Sequence, residues 1–229
     1  MKSYKTLILS GLLLALLALP SIASAAIGHI EPVLDITYSI DDSFDGVSGD
    51  NYLIGGGVRL EFDILWGFSA GAEYNYTSKD GNLFGNYDQI DTSYELHMLK
   101  FNLRWRYEAT SWFEPYVLFT VGPDFHSLSI KQKYSHTLVN IDDKVKLGIG
   151  GLVGMRFQLA ESWMKSWKPW DGFNLGFYLE SGYIYRAPLA VNYQPAVSSS
   201  QPGAIVSERK LGKLKSGGPT LRMGVFWRF

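Results

Sequence analysis

Charged residues occur at every second position in several segments that are otherwise rich in apolar and aromatic residues. Arg59 and Glu61 flank Leu60, and Arg104 and Arg106 flank a tryptophan. Successive side chains of a β-strand point to opposite faces, so this spacing collects the charges on one face. The pattern predicts strands with a charged face and an apolar face, and the charged faces must pair where they are enclosed, because an unpaired buried charge is costly.

Nucleophilic catalysis is the second chemistry to consider, with His126 as the candidate base and a nearby serine as the nucleophile. A base and a nucleophile must share one face of an element to act together, but Leu128 takes the second position after His126, while Ser127 and Ser129 fall on the opposite face. His29, His97 and His136 lack partners nearby in sequence. We therefore predict no catalytic residues and no enzyme.

An acidic segment at 41–50 is the candidate for a metal. Its carboxylates lack the regular ligand spacing and the closing glutamate of a calcium loop, and no zinc spacing occurs elsewhere. We therefore predict a solvated acidic loop, with no metal and no cofactor. Its carboxylates are Asp41, Asp42, Asp45 and Asp50.

Eight segments alternate with a period of two over the length that a membrane-spanning strand requires. In the fourth segment, the alternation places Leu96 and Met98 on the opposite strand face from Leu99 and Phe101, which predicts a β-bulge near Met98 and Leu99. The fifth segment is almost uniformly apolar, so the sequence does not decide which of its residues face the lipid and which face the lumen. The segments are 29–40, 51–62, 66–77, 93–107, 115–122, 144–158, 173–186 and the terminal strand 221–229.

The links between these segments alternate in length. Those at 63–65 and 108–114 are short, whereas 41–50, 78–92, 123–143 and 187–218 are long and polar, and 159–172 is the exception. Short periplasmic turns, long outer loops and an even strand number are features of bacterial transmembrane barrels. We predict an all-β fold, an eight-stranded antiparallel up-and-down transmembrane β-barrel with four long outer loops, spanning residues 26–229.

The N-terminal residues 1–25 read as a signal peptide, with Lys2 and Lys5, an apolar run from Leu7 to Leu19, and Ala-Ser-Ala before the cleavage point. Without those two lysines, 19 basic residues remain against 22 acidic ones, so nothing favours nucleic acid. The chain has no cysteine, and after residue 25 no apolar stretch reaches the ~18 residues of a membrane-spanning helix.

The C-terminal segment has one strongly apolar face. This face resembles the assembly signal that the barrel-assembly machinery reads in outer-membrane β-barrels of Gram-negative bacteria, which implies export to the bacterial outer membrane. The residues are Leu221, Met223, Val225, Trp227 and Phe229, with Phe226 as the one misfit on the other face.

Tryptophans sort to one end of the predicted strands, and tyrosines gather near the other, as in the aromatic girdles of membrane barrels. Residues 163–168 can form an amphipathic turn at the interface. The predicted periplasmic girdle consists of Trp66, Trp105, Trp112, Trp163, Trp167, Trp170 and Trp227.

Taken together, the signal, the alternation and the terminal pattern resemble the small eight-stranded barrels: the OmpA-type transmembrane domain, the OmpX-type and the OmpW-type. The resemblance implies a cell-envelope protein in contact with outer-membrane lipid and lipopolysaccharide. An OmpW-type barrel is thought to pass small hydrophobic molecules, and some small barrels are lipid-modifying enzymes. Lys131, Lys144 and Arg209 are among the outer-loop cations that can meet lipopolysaccharide phosphates.

The interior of an eight-stranded barrel is just wide enough for side chains to fill it. Charges of both signs there form either a structural ion-pair plug or a selective path. We expect a non-enzymatic barrel with a charge-plugged lumen and surface loops for a partner or lipopolysaccharide. The alternatives are a narrow channel for small hydrophobic molecules and an outer-leaflet lipid-modifying enzyme. The predicted lumen network comprises Asp35, Arg59, Glu73, Lys100, Glu180 and Arg222.

Overall fold

The period-two segments form strands in the computed structural model, which describes residues 28–41, 51–84, 89–132, 137–159, 174–193 and 209–228. Eight of ten strands close into an antiparallel barrel, which confirms the predicted fold class. The strands are β1 (Gly28–Tyr38), β2 (Tyr52–Asp63), β3 (Phe68–Phe84), β4 (Gln89–Arg106), β5 (Phe113–Gln132), β6 (Thr137–Gln158), β7 (Asn174–Arg186), β8 (Leu189–Tyr193), β9 (Arg209–Leu214) and β10 (Gly218–Arg228).

The barrel closes between its first and last strands. From β1 to β7 each strand pairs with the next, and β10 pairs with β7 on one side and β1 on the other. Strands β8 and β9 form a separate two-stranded sheet, which we call the β8–β9 hairpin. Closure leaves no free edge among the eight barrel strands, as a bilayer requires.

Two segments that we predicted as outer loops are largely strand. β3 and β4 stay paired out to Phe84 and Gln89, and β5 continues to Gln132 while β6 begins at Thr137. Beyond the apolar band a strand no longer needs an apolar outer face, so the alternation fades although the pairing continues. The predicted loops 78–92 and 123–143 are therefore mainly the arms of two long hairpins.

The predicted β-bulge in β4 is wrong. The pairing of β3 with β4 is unbroken from Phe68–Trp105 to Phe84–Gln89, and Leu96 and Met98 are buried on the same face as Lys100. The lumen is apolar at that depth, so apolar residues belong inside. Register shifts occur instead between β5 and β6, at 126–128 and 130–131.

The facing of β5 is also settled. Val117 and Phe119 are about half exposed on the outer surface, whereas Tyr116 and Leu118 are buried inside. The uniform apolarity of this strand arises because it meets the membrane outside and an apolar cluster of Tyr116, Leu118 and Leu152 inside.

The seam between β1 and β10 is interrupted between Ile30 and Leu34. Pro32 lies in this gap, and proline has no backbone N–H to donate to a neighbouring strand. Its carbonyl oxygen instead accepts a hydrogen bond from the Tyr178 hydroxyl at 2.8 Å. A lumen side chain thus satisfies a backbone group that the closing ladder leaves free.

Several predictions fall outside the described residues: the signal peptide at 1–25, the amphipathic turn at 163–168, Trp170 and Phe229. Within the described ranges, no helix is long and apolar enough to cross a membrane.

Candidate functional site: the barrel lumen

A dense group of charges fills the middle of the lumen. Among the described residues, this group has four arginines and five carboxylates on seven strands, each at most 2 % exposed. Most are linked to one another by ion pairs with direct N–O contacts. The nine residues, which we call the lumen network, are Glu31, Asp35, Arg59, Glu61, Glu73, Arg104, Arg156, Glu180 and Arg222.

Arg59 spans the lumen. Its two terminal nitrogens donate to the two carboxylate oxygens of Glu180 on β7, at 2.6 and 3.0 Å. Its Nε donates to Glu73 on β3 at 2.6 Å, and Glu31 on β1 accepts at 2.9 Å. A bidentate, charge-assisted contact is among the strongest that a protein makes, so Arg59 ties together strands on opposite sides of the barrel.

Glu31 is the second centre. Arg104 donates to both of its oxygens at 2.9 Å and also contacts Glu61 at 2.8 Å. Arg156 pairs with the same Glu31 carboxylate. Glu31 also contacts Arg59, so it joins Arg104 and Arg156 to the rest of the network.

Arg222 contacts two carboxylates of the predicted network. It donates to Asp35 at 3.0 Å and to Glu73 at 3.0 Å. Glu180 is bound by Arg59 and by the Tyr116 hydroxyl, which donates to it at 2.8 Å. Five of the six predicted residues therefore meet in one network.

Lys100, the sixth, belongs to a different cluster. It lies opposite Glu73 in the β3–β4 register, but its ammonium pairs with Asp124 on β5 and donates to the Gly122 carbonyl at 3.1 Å. Arg186 of β7 lies 3.7 Å from Asp124. Asp124 was not among the predicted lumen residues, because it lies in a segment that we predicted as a loop.

A third cluster lies where β1, β2, β4 and β10 meet at the short-turn end. Arg106 forms a bidentate pair with Asp63, with both N–O distances 2.7 Å. His29 lies 3.0 Å from the same carboxylate, and Arg228 lies 3.3 Å from it. One aspartate thus links four strands beside the closing seam.

Aromatic rings fill the remaining space by lying over glycines. A Cβ added to Gly154 would meet the Tyr116 ring at 2.5–2.7 Å. Gly176 lies in the same way under Phe226, the misfit of the terminal strand, whose ring also packs 5.0 Å from the Arg156 guanidinium carbon. Large side chains on one wall thus occupy the room left by glycines on another.

Above the charges, the outer part of the lumen is apolar. Residues of β2, β4 and β5 pack there against residues of the β8–β9 hairpin. This group, which we call the outer apolar cluster, consists of Leu53, Tyr94, Leu96, Met98, Leu128, Leu189, Val191 and Leu214.

The histidines have partners that sequence proximity did not reveal. His126 is buried inside the barrel on β5, with its Nδ1 2.7 Å from the Tyr94 hydroxyl. His97 faces outward, 2.8 Å from the Tyr74 hydroxyl. Ser127 and Ser129 are less buried than His126 and Leu128 on alternate positions of β5, so no serine joins His126 on its own face of this strand.

The described tryptophans of the predicted girdle share one end of the barrel. Trp66 and Trp112 lie at the two short turns, and Trp105 and Trp227 lie near the ends of β4 and β10. All four are at least 37 % exposed. Exposed tyrosines mark the other rim, and the tail residues Leu221, Met223, Val225 and Trp227 all face outward.

The acidic loop of the sequence lies mostly outside the described residues. Asp41 is its only described carboxylate at the strand end, and it accepts from the backbone N–H of Lys215 at 3.2 Å. Within the described ranges, no group of three or more His, Asp or Glu side chains is arranged to hold a metal ion.

A closed eight-stranded barrel with an apolar exterior and a charged interior defines a membrane β-barrel of the bacterial type. The sequence matches the family of the outer membrane protein beta-barrel domain over residues 11–166, more than half of the chain, and the protein belongs to this family. It is thus an outer-membrane protein of the Gram-negative cell envelope. No curated protein matches the sequence.

Solved structures that are similar to this chain have low sequence identity to it. The outer membrane protein OprG from Pseudomonas aeruginosa is 11% identical, with a TM-score of 0.50 and coverage of 90% of this chain and 96% of that one. Ail from Yersinia pestis, solved with the heparin analogue sucrose octasulfate, is 11% identical, with a TM-score of 0.42 and coverage of 89% of this chain and 97% of that one. The outer membrane protease OmpT from Escherichia coli is 10% identical, with a TM-score of 0.44 and coverage of 90% of this chain and 95% of that one.

Proposed function

We propose that this protein is a non-enzymatic barrel of the outer membrane whose lumen is closed by ion pairs and whose outer surface contacts lipopolysaccharide or a protein partner. The bidentate pair of Arg59 with Glu180 carries the proposal, because it bridges opposite walls in a region without solvent exposure. A lumen crossed in this way leaves no continuous water path, since the interior of an eight-stranded barrel is narrow.

Conductance in planar bilayers tests the closed lumen. We expect no sustained unitary currents from the wild-type protein, and no new ones from Asp80→Asn, a control at an exposed position of β3. Sustained currents that change in Glu73→Gln or Lys100→Gln would contradict the plug and favour a selective path.

The channel for small hydrophobic molecules is the second candidate, and the outer apolar cluster favours it. The lumen network beneath that cluster opposes passage to the periplasm, because an apolar solute would have to break buried ion pairs. Uptake of a hydrophobic dye into proteoliposomes separates the two functions. Uptake above that of protein-free vesicles would favour the channel.

Absence of catalysis is the third part of the proposal. The inward face of β5 carries His126 without a serine beside it. Expression of the protein should leave the mass spectrum of lipid A unchanged. A new lipid A species that disappears in His126→Ala would overturn this part and restore the lipid-modifying alternative.

Contact with lipopolysaccharide rests on exposed cations at the outer end. Lys131, Lys144, Lys213 and Lys215 are exposed near the ends of the long hairpins. Phosphates are suitable anions for such lysines. The variant with these four lysines replaced by glutamine should bind lipopolysaccharide vesicles more weakly than the wild type does. The wild type should show the same loss of binding on vesicles whose lipid A lacks its phosphates. Equal binding in all cases would contradict the proposal.

The last part of the proposal concerns the assembly of the barrel in the membrane. The outward face of β10 would be read by the barrel-assembly machinery, after export directed by residues 1–25. Trp227→Ser should lower the folded fraction in the outer membrane, whereas Pro219→Ser, at the other end of the same face, should have a smaller effect. Equal folded fractions would contradict the role of this tail.

A further inference from the structure

The β8–β9 hairpin occupies the outer part of the lumen without belonging to the barrel wall. Leu189, Val191 and Leu214 are 1–6 % exposed and pack among lumen residues of three barrel strands. The hairpin pairs only with itself. An isolated two-stranded hairpin is marginally stable in water, so its position depends on these apolar contacts.

Few polar contacts hold the hairpin at its base. The Ser39 hydroxyl donates to the Lys215 carbonyl at 2.7 Å, and the Arg186 guanidinium donates to the Ser216 carbonyl at 2.5 Å. Both attachments involve the connection that leads to β10, outside the apolar contact itself. Another apolar group of similar shape can therefore replace the three hairpin side chains while the base stays attached.

The floor below the outer apolar cluster carries an excess of positive charge. Lys100, Arg186 and Lys146 all lie near His126, and Asp124 is the acidic partner of the first two. In the described part of the chain, the next carboxylate inward is Asp35, which is bound by Arg222. Arg186 also faces Asp35, but Asp35 is mainly bound by Arg222, so the three cations outnumber the carboxylates and leave the floor favourable for an anion.

Two buried nitrogens on this floor have no hydrogen-bond partner within the described ranges, Nε2 of His126 and Nε of Arg186. The Tyr94 hydroxyl lies 2.7 Å from Nδ1 of His126, and a hydroxyl that donates there leaves the ring proton on Nε2. Asp124 Oδ2 forms an ion pair with Arg186 Nε, but at 3.7 Å the two atoms are too far apart for a hydrogen bond. Buried donors without acceptors are costly, and a bound oxyanion would remove that cost.

We propose that the outer half of the lumen is a binding chamber for a single-chain amphiphile with a carboxylate headgroup. The alkyl chain takes the place of Leu189, Val191 and Leu214 against the barrel wall, and the headgroup binds at Arg186 and His126. The chamber opens to the cell surface only, because the lumen network closes it below. It therefore adds ligand capture, with displacement of a surface hairpin, to the closed barrel proposed above.

Photolabelling in lipid nanodiscs tests the chamber. The probes are dodecanoate and dodecylamine that carry the same diazirine near the chain end. We expect the carboxylate to label peptides with Leu53, Leu96 or Leu128, and unmodified dodecanoate to compete. The amine should label these peptides at least about tenfold less, as expected for loss of a charge-assisted hydrogen bond. Labelling confined to outward residues such as Phe101, or equal labelling by both probes, would overturn the proposal.

Variants assign the headgroup site. Arg186→Gln should reduce lumen labelling about tenfold and Arg186→Lys should retain most of it, because the charge is what binds the carboxylate. Asp80→Asn, at an exposed position of β3, is the control and should label like the wild type. If Arg186→Gln fails to fold by gel mobility, His126→Phe removes the second donor instead. Undiminished labelling of the folded variant would overturn the site.

Hairpin displacement has its own readout, since the chain contains no cysteine. A nitroxide on Lys213→Cys should become more mobile when dodecanoate is added, and not when dodecylamine is added. A nitroxide on Asp80→Cys, in the β3–β4 hairpin, should not respond. An unresponsive label at position 213 would refute hairpin displacement. Conductance stays a separate test, so failure of the chamber and failure of the closed barrel are distinguishable.

Discussion

Each arginine of the lumen network binds more than one carboxylate, so single residues control strands that are far apart in the sheet. Glu180 shows this well: it accepts from Arg59 of β2 and from Tyr116 of β5 while lying on β7. Its removal leaves a guanidinium buried without its bidentate partner. The cost of a half-broken buried pair exceeds the net value of the intact pair.

Glu180→Gln should therefore lower the free energy of unfolding by about 3–5 kcal/mol. Urea titration of protein refolded into phospholipid vesicles, read by gel mobility, measures the change. Asp80→Asn serves as the control, because Asp80 is exposed and surface charges contribute little. Equal stability of the two variants would show that water reaches the network and compensates the loss.

Two neighbouring glycines of β6 provide a matched pair. Gly154 lies under the Tyr116 ring inside the barrel, whereas a Cβ on Gly151 would meet no atom within 4 Å on the outer face. Overpacking a filled interior typically costs about 1–3 kcal/mol. Gly154→Ala should be destabilised by that amount in the same urea titration, and Gly151→Ala should not. Similar losses at both positions would mean that strand propensity, not ring packing, dominates.

At the scale of the element, β4 shows what alternation reveals and what it hides. Phe101 and Leu103 face outward, as the alternation indicates, because the polar residues Asn102 and Arg104 mark the inside. At Leu96 and Met98 the same reasoning failed, since the lumen there is apolar and hydrophobicity no longer distinguishes the two faces. Contacts such as Lys100 with Asp124 depend on the register between strands, which one sequence does not encode locally.

Single cysteines on β4 test the unbroken alternation. Leu99→Cys and Phe101→Cys, labelled with a nitroxide, should collide readily with a lipid-soluble paramagnetic reagent, because both side chains face outward. Leu96→Cys and Met98→Cys should be shielded from it inside the barrel. A bulge at 98–99 would reverse this result and place Leu96 and Met98 against lipid.

At the scale of the whole molecule, the lumen has two layers of different chemistry. The lumen network fills its middle and the outer apolar cluster fills its upper part, with the Lys100–Asp124 pair between them. The alternating pattern predicted the lower layer, because charges between lipid-facing residues must point inward. The upper layer uses the β8–β9 hairpin, which brings residues 189–191 and 214 into the barrel from a segment predicted only as a loop.

The closed lumen that we propose should make the stability of the molecule insensitive to salt. Screening shortens from ~10 Å at 0.1 M to ~3 Å at 1 M ionic strength for charges in water, but buried pairs are screened much less. The ion pairs that cross this barrel are among residues at most 2 % exposed. The urea midpoint of the wild type in vesicles of uncharged lipid should therefore change little between 0.1 M and 1 M NaCl. A marked fall in the midpoint at high salt would mean that ions enter the lumen, and would favour a conducting path over the plug.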